Sequence, residues 1–576
     1  MMFKVEFNKI GKEIEVEANT TLLECIRNAG LKLETPCNAM GVCGKCKVLA
    51  WGELSEVTKE EKKFINEEKN ERLACLTKVI GNATIELINE KKKLKTINSG
   101  TSKEVEVNSV VKEVKMNPIE KDFGNPYVDS VKYTVNDCEI YEKIGLLEFK
   151  ASRDIYGVIY NDEIIDISDK EKDIFGVALD IGTTGISSYL VDLKTGEVLN
   201  KVSSLNPQTE FGGDVLTRIT YCMDNEKGSL ELKTVILKEI NNLIYKLVDK
   251  NFKLDEVYHI AIAANTTMLH LLLGVNTTIM ARSPYRPVFL NSMDIRAKDL
   301  NIDVNKGAYI TLIPSASSYV GADIISGIVA CDFQNKKHSS IFVDIGTNGE
   351  MVAIHKGKLA ATSTAAGPAL EGMNIACGCR AQEGAIESLE IDENFNISYS
   401  TIGNTEALGI CGSGLIDIAA ALVHRKIVLK SGRFNKDLPP KLKHRLKDKK
   451  FYITDNVYIS QKDIRQIQLA KGAIAAGIIM LLKSIGVNID EIEETVIAGA
   501  FGYHVNPNSI KTIGLIPKGF NGKVTFAGNT SVEGARLALI NKECFLEMKK
   551  IRKNINVLEL STDDKFQEHF MKELNF

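Results

Sequence analysis

Three things are missing from this sequence, and each absence removes a class of function. There is no excess of charge: 72 Lys and Arg stand against 75 Asp and Glu, a formal net charge of −3. Bulk charge therefore points to neither a nucleic-acid nor a membrane partner. There is no long apolar run. The most apolar helical stretch, Gly472 to Leu482, lies between Lys471 and Lys483, well short of the roughly 20 residues a membrane span needs. There is no leader pattern either: MMFKVEFNKIGKEIEVE alternates like a strand, so no signal peptide is expected and a cytoplasmic protein follows. Twelve cysteines without an export signal argue for metal ligation and buried thiols, not for a disulfide framework. At 576 residues the chain should divide into roughly three to five domains.

What is present begins with Cys37, Cys43, Cys46 and Cys75, spaced C-x5-C-x2-C-x28-C. Three thiolates in one loop and a fourth returning from a distance form the ligand pattern of a plant-type [2Fe–2S] cluster. The competing reading, structural zinc, normally presents two C-x2-C knuckles, and here there is one. The surroundings favour the cluster. Phe3–Phe7 and Lys12–Glu17 alternate around the turn Asn8–Gly11 and predict a hairpin. Thr20–Ala29 predicts a helix, with Thr21 and Glu24 at capping-box spacing and Gly30 as its stop. A strand, Lys47–Trp51, follows the loop, and another, Ala83–Leu87, follows Cys75. That order is a β-grasp ferredoxin over residues 1–90. Gly41 and Gly44 allow the loop to bend tightly, and Cys25, on the apolar face of the helix, reads as a buried thiol.

Residues 91–115 are polar and repetitive and read as a linker that lets the cluster domain swing. Residues 116–173 read as a small α+β middle domain with strands Val131–Val135, Gly157–Tyr160 and Glu163–Ile167. The remaining chain, 174–576, contains a duplication, with copies expected at about 174–335 and 336–576. FGVALDIGTTGISSYLVDLKTGEVLNKVSS near Phe175 and IFVDIGTNGEMVAIHKGKLAATSTA near Ile341 each give an apolar strand ending in Asp, a Gly-Thr turn, and two further strands. Gly182–Thr183–Thr184–Gly185 and Gly346–Thr347–Asn348–Gly349 offer backbone N–H groups and hydroxyls suited to phosphate oxygens. Asp180 and Asp344 stand at the strand ends beside those turns, where two carboxylates can hold Mg²⁺ through water and so neutralise a triphosphate. These two are the expected catalytic pair.

The paired turns resemble the two phosphate motifs of the acetate kinase, sugar kinase, Hsp70 and actin superfamily. That resemblance implies an adenosine-contacting element, which TVIAGAFG (Thr495–Gly502) matches, with Gly499, Ala500 and Gly502 under the base or ribose of ATP. Further stretches are more selective: NPQTEFGGDVLTRI (Asn206–Ile219), AANTTMLHLLLG (Ala263–Gly274), AAGPALEGMNI (Ala365–Ile375), GAIESL (Gly384–Leu389), GICGSGLID (Gly409–Asp417) and AGNTSVEGA (Ala527–Ala535). With the domain order, they resemble the reductive activators of corrinoid-dependent methyl-transfer proteins over essentially the whole chain. The expected architecture is multidomain α/β and α+β: a β-grasp ferredoxin, a small middle domain and an actin-like, ribonuclease H-like duplicated ATPase domain. The resemblance implies a one-electron transfer from the [2Fe–2S] cluster to Co(II) of a corrinoid protein, coupled to ATP hydrolysis. It also implies an upstream low-potential reductant and dimerisation through the ATPase domain. Alternatives are ATP-dependent electron donation to another low-potential enzyme, and a redox-sensing actin-like kinase. No hydrolytic base can be assigned: Glu350 and Asp214 are candidates. His270 and His504 fit structural roles, and Cys377, Cys379 and Cys411 read as buried thiols near the cleft, with a second redox site as the alternative. The basic segment 424–450 reads as a surface insertion, either a solvated face or an attraction for an acidic partner.

Overall fold

Apolar strands that end in aspartate organise most of this computed structural model, and the rest of the chain is arranged around them. The structure describes residues 2–31, 33, 35, 39, 41, 44–88, 100–116, 126, 128, 132–148, 154–499, 505–561 and 563–576.

The N-terminal body is a five-stranded sheet of order β2-β1-β5-β3-β4, built from β1 (Met2–Phe7), β2 (Lys12–Glu17), β3 (Lys47–Leu54), β4 (Glu71–Leu73) and β5 (Val79–Leu87). β1 runs antiparallel to β2 and parallel to β5, the β-grasp arrangement. Thr21 and Glu24 form the reciprocal cap that their spacing predicts. The helix Leu22–Asn28 buries Leu22, Leu23, Cys25 and Ile26, and burial pushes the Cys25 thiol up to about 11. β5 begins before Ala83 because Val79 pairs with Leu54 at the far end of β3.

A second sheet joins β6 (Val111–Met116), β7 (Ile155–Tyr160) and β8 (Glu163–Ser168), and the helix Cys138–Glu148 covers it. Its core is Ile140, Ile144, Ile155, Ile159 and Ile164. β6 falls within the stretch expected as linker. Of the expected strand Val131–Val135, Val131 is outside the described residues, and Thr134 forms one isolated bridge to Glu163.

Residues 100–109 also differ from a free linker. They form a strap on the large body. Gly100 bridges Gly528, and the Thr101 and Lys103 amides donate to the carbonyls of Ala527 and Ala330. Lys103 pairs with Asp332 and Glu547, and Ser109 Oγ donates to Leu539 O. The remaining expected linker residues, 91–99, lie outside the described residues.

The duplication is visible strand by strand. The first copy contains β9 (Phe175–Ile181), β10 (Gly185–Asp192), β11 (Val198–Leu205), β12 (Val257–Ala264), β13 (Met293–Arg296) and β14 (Tyr309–Leu312), in the order β11-β10-β9-β12-β14-β13. The second opens with β15 (Ser340–Ile345), β16 (Gly349–His355) and β17 (Lys358–Thr364). Two three-stranded sheets are inserted next, β18 (Ala385–Ile391) to β20 (Gly409–Ile410) through β19 (Ile397–Thr401), and β21 (Leu446–Lys447) to β23 (Tyr458–Ser460) through β22 (Lys450–Tyr452). The second large sheet is completed by β24 (Glu494–Gly499), β25 (Lys523–Gly528) and β26 (Asn556–Val557), in the order β25-β24-β15-β16-β17-β26. In both copies three antiparallel strands are followed by parallel strands next to the first, β12 beside β9 and β24 beside β15.

The chain does not keep the copies separate. Helix Thr530–Ile540, within the stretch expected to belong to the second copy, packs Val532, Ala535 and Leu539 into the core of the first. Gly534 allows this, since a Cβ there would lie 2.3 Å from Ser326 O on the helix Ala322–Ala330. The apolar stretch Gly472–Leu482 is part of a longer helix, Gln461–Ser484. By length and composition that helix could cross a membrane; here it is mostly buried, packed on β16, β17 and the helix Asp564–Glu573. Lys471, expected as its charged flank, is buried, donates to Asn575 O, and is lowered by burial to about 8.

Candidate functional site

The two Gly-Thr turns occupy equivalent positions, each at the carboxyl end of the first strand of its copy. The first needs glycine for a local reason: a Cβ on Gly182 would lie 2.7 Å from Gly185 O. The second turn is closed by the Gly346 N–H, which donates to Asn348 O at 2.9 Å.

The first turn is braced from outside. Asn206 donates Nδ2 to Gly182 O and its backbone N–H to Thr184 O, both at 2.9 Å. Asn265, the N-cap of helix Thr266–Leu273, donates to Thr183 Oγ1 at 3.1 Å. The guanidinium of the fully buried Arg218 donates to Thr183 O, to Gly212 O at 3.0 Å and to Gln208 Oε1 at 3.2 Å. Burial pulls Arg218 down to about 9. Asp214 is committed elsewhere: it caps helix Val215–Asp224 and accepts from Thr217 N at 2.8 Å.

The second turn is held by a side chain that sequence reasoning did not single out. Glu371 accepts from Thr347 Oγ1 at 3.2 Å and from Thr184 Oγ1, on the opposite turn, at 3.3 Å. It ends the short turn Pro368–Glu371, which is bounded by the left-handed residues Gly367 (φ 76°) and Gly372 (φ 79°). A Cβ on Gly372 would lie 2.5 Å from Cys379 O, so the backbone beneath Glu371 is packed against Cys377–Cys379. Gly499, φ 98°, ends β24 against the same turn; a Cβ there would lie 2.6 Å from both Asp344 Oδ1 and Ile345 O. Ala500, Gly502 and His504 lie outside the described residues.

The site is crowded with acids. Asp180 accepts from Ser531 at 2.8 Å and from Asn529 at 3.0 Å, which assigns a role to AGNTSVEGA. Burial raises Asp180 above the ordinary carboxylate range, and these two hydrogen bonds oppose the shift. Asp344 is pushed up to about 8 by burial and by the charges of Asp323, Asp180 and Glu371. Asp323, in the first turn of helix Ala322–Ala330, is raised to about 7 by burial and by Asp180. Glu350, directly across the strands from Asp344, is raised well above its usual value by burial, Asp323 and Asp344. Glu371 is raised by burial. Buried carboxylates this close cannot all ionise without a compensating cation. Carboxylate oxygens are the donors a divalent ion takes; among the described residues no three of these side chains converge to chelate a bare ion.

In the ferredoxin body, the thiols of Cys46 and Cys75 approach to 3.2 Å; Cys37 and Cys43 lie outside the described residues. Ala39, Gly41 and Gly44 all take left-handed backbone angles. A Cβ on Gly41 would meet the Leu76 side chain at 2.8 Å, and one on Gly44 the Phe64 ring at 2.5 Å, so the loop is pressed onto apolar neighbours. The Cys75 segment is fixed by buried Glu61, which accepts from Arg72 Nε at 2.9 Å, Leu73 N at 2.8 Å and Thr77 Oγ1 at 2.9 Å. Burial alone would raise Glu61, but these bonds outweigh it and hold the carboxyl below its usual range. Two converging thiols, Cys46 at the end of a glycine-bent loop and Cys75 on the returning segment, fit a cluster with cysteine ligands.

The cluster domain touches both copies. Arg27 Nη2 and Thr35 Oγ1 donate to Glu210 O at 2.6 and 3.0 Å, on the same strip that braces the first turn. Lys45, adjacent to Cys46, reaches Gly378 O at 3.4 Å, in the segment packed against Gly372.

Other candidates have structural roles. His270 is buried, bonded through Nδ1 to Thr266 O and through Nε2 to Val288 N, and stacked on Phe289. Cys411 is buried beside Ile386 O and Ser413. Cys377 accepts from Tyr458 N, and burial raises its thiol. In the basic segment, Lys441 bonds Asn394 and Asn396, and Arg445 bonds the carbonyls of Tyr452 and Ile453; both are part of the local fold.

Comparison with known proteins agrees with this geometry. A model of the 2Fe–2S iron–sulfur cluster binding domain matches residues 5–79, one of the RACo middle region matches 175–336, and one of the C-terminal domain of RACo, the ASKHA domain, matches 338–576. The corrinoid activation enzyme RamQ of Eubacterium limosum is 30% identical, over 100% of this chain and 99% of its own. The [Co(II) methylated amine-specific corrinoid protein] reductase of Methanosarcina barkeri is 25% identical, over 70% of this chain and 77% of its own. A solved structure of a reductive activator for corrinoid, iron–sulfur protein superposes with a TM-score of 0.75 at 30% identity, covering 100% of this chain and 98% of that one.

Proposed function

The chain belongs to the RACo family of corrinoid-protein activators, and from that membership we propose that it returns a corrinoid cobalt from Co(II) to Co(I) by passing one electron, with ATP hydrolysis coupled to the transfer. A [2Fe–2S] cluster on Cys37, Cys43, Cys46 and Cys75 supplies one-electron chemistry at about −400 mV when bound. Transfer to a lower-potential acceptor is uphill, and each further 59 mV or so costs a factor of about ten for one electron. ATP can offset that only by binding two conformations differently.

The observation that carries this reading is the strip Asn206–Glu210. One end binds the first Gly-Thr turn through Asn206, and the other accepts Arg27 and Thr35 of the ferredoxin body. A phosphate entering the turn therefore acts on residues that also hold the electron carrier. In this reading Gly182, Thr183, Thr184, Gly346, Thr347 and Asn348 bind the phosphates. Asp180 and Asp344 hold Mg²⁺ through water, and Gly499, Ala500 and Gly502 meet the adenosine. A low-potential reductant loads the cluster, in the cytoplasm, and two copies of the chain pair through the ATPase domain.

The test is anaerobic. The reduced protein is mixed with a Co(II) corrinoid protein, with and without Mg–ATP, and the Co(I) absorption band is followed. An ATP-dependent band is expected; its absence with every corrinoid protein tried sinks the reading. Cys46→Ala should abolish the band and leave nucleotide binding intact, whereas Asp180→Ala should impair the nucleotide step and leave the cluster spectrum unchanged.

A further inference from the structure

We propose that Glu371 is the catalytic base for ATP cleavage, the residue that orients and deprotonates the attacking water; this rests on the ATP-coupled reading above. Among the described residues it is the one carboxylate bonded to hydroxyls of both turns, Thr184 at 3.3 Å and Thr347 at 3.2 Å. A phosphate held by both turns therefore ends beside it. Glu371 also overhangs the second turn: a Cβ on Gly346 would lie 3.4 Å from its Oε1.

The other acids are engaged differently. Asp180 is bound by Ser531 and Asn529, and Asp323 accepts the Ile324 amide at its own helix start. Glu350 accepts from Ser363 on the neighbouring strand. Asp344 is pressed between Gly499 and the strand end. Glu371 alone projects from a turn outside the two large sheets, and its backbone is fixed by left-handed glycines on both sides. That rigidity suits a group that must stay within hydrogen-bond reach of a water.

The step balances without another reactant. A water oxygen forms a bond to the γ-phosphorus as the bond from that phosphorus to the β,γ-bridging oxygen breaks. ADP leaves with the bridging oxygen, the water proton passes to the Glu371 carboxylate and then to solvent, and inorganic phosphate remains. The carboxylate is regenerated for the next turnover. Burial, which raises Glu371 above the ordinary carboxylate range, makes it a stronger proton acceptor than an exposed glutamate.

The experiment uses the full chain with its cluster. Binding of a fluorescent ATP analogue is measured by titration, and cleavage by single-turnover quench with labelled ATP, both without a corrinoid protein. Glu371→Gln, which keeps the shape and one acceptor oxygen, should bind the analogue within about three-fold of the parent while cleavage falls between about 100- and 10,000-fold. Nucleotide recovered from the variant should be ATP, where the parent yields ADP. Cleavage within about ten-fold of the parent overturns the assignment. So does a loss of affinity as large as the loss of cleavage, because Glu371 would then only hold the turns together. Glu371→Asp gives an independent reading: it should cleave faster than the Gln variant, and equal rates at equal affinity also overturn the proposal. Failure of the parent to make Co(I) would sink the corrinoid reading and leave this comparison intact.

Discussion

The two Gly-Thr turns descend from one pattern and share Glu371, yet the rest of what secures them differs. The first is secured by polar side chains from loops: Asn206, Asn265 and the buried Arg218 grip its backbone and Thr183. Its aspartate is equally well served, with Ser187 across the sheet and two donors on its oxygens. The second has one polar side-chain contact, Glu371 on Thr347, and is otherwise secured by backbone and apolar packing. A Cβ on Gly349 would press Ile474 at 2.8 Å, and Gly499 closes on the strand end. Its aspartate faces Glu350 across the sheet and receives no hydrogen bond among the described residues. The duplication thus has one copy whose aspartate accepts two side-chain hydrogen bonds and one whose aspartate accepts none among the described residues. Sequence identity between two motifs does not fix which of them stays electrostatically incomplete; their neighbours do.

The strongest way to break this contrast is to remove the brace of the first turn. Arg218→Met leaves the carbonyls of Thr183 and Gly212 without their guanidinium donor in a buried site, and leaves the Gln208 amide oxygen with Asn206 alone. Denaturant unfolding should show a loss of about 2–5 kcal/mol, at about 1–3 kcal/mol for each buried acceptor left unsatisfied, and a loss under 1 kcal/mol would mean that the brace is ornamental.

The next test exchanges equivalent residues. Ala264 ends β12 opposite Ile181 just as Gly499 ends β24 opposite Ile345. Gly499→Ala forces a side chain onto a left-handed backbone and into Asp344, and should cost about 1–3 kcal/mol along with nucleotide affinity. Ala264→Gly should cost only about 0.5–1 kcal/mol. Equal effects in a thermal melt would erase the asymmetry.

A comparable effect is expected in the pH dependence of the nucleotide-free protein. Burial and the neighbouring acids push the Asp344 carboxyl up to about 8 in the folded protein, from the ordinary aspartate value of 3.8. Its raised pKa means that the folded state holds a proton the unfolded chain has released. The resulting stability is complete below about pH 3.8 and is lost as pH rises through about 8. Between pH 6 and 8.5 the loss should be about 2.5 kcal/mol. Asp344→Asn should flatten this slope; Asp180→Asn, at the copy whose carboxylate already has two donors, should leave most of it. Identical slopes for the two variants would contradict the contrast.

Much of this was legible in the sequence. The hairpin, the Thr21–Glu24 cap and the two Asp-Ile-Gly-Thr strand ends depend on residues close together in the chain, so spacing reveals them. Glu371, Asp323 and Arg218 were not legible, because each matters only through what it meets: Glu371 bonds Thr184, 187 positions away. The swing expected of residues 91–115 was inferred from polarity, but polar backbone can also pair with a neighbouring strand, as Gly100 and Thr101 do. Gly472–Leu482 showed only the apolar middle of its helix, since buried Lys471 looked like a surface end.

The anchoring of Gly100 sets a limit on reach. Its backbone is so close to Asn529 that a Cβ would lie 2.3 Å from that residue's carbonyl, and Asn529 is a donor to Asp180. Residues 88–99 alone separate this fixed point from Leu87, the end of the ferredoxin sheet. Fully extended, those thirteen steps span at most about 45 Å. However the ferredoxin body travels, Leu87 stays inside that radius. An acceptor docked on the ATPase body within it meets the electron carrier at an effective concentration on the order of millimolar, whatever the concentration of the protein in the cell.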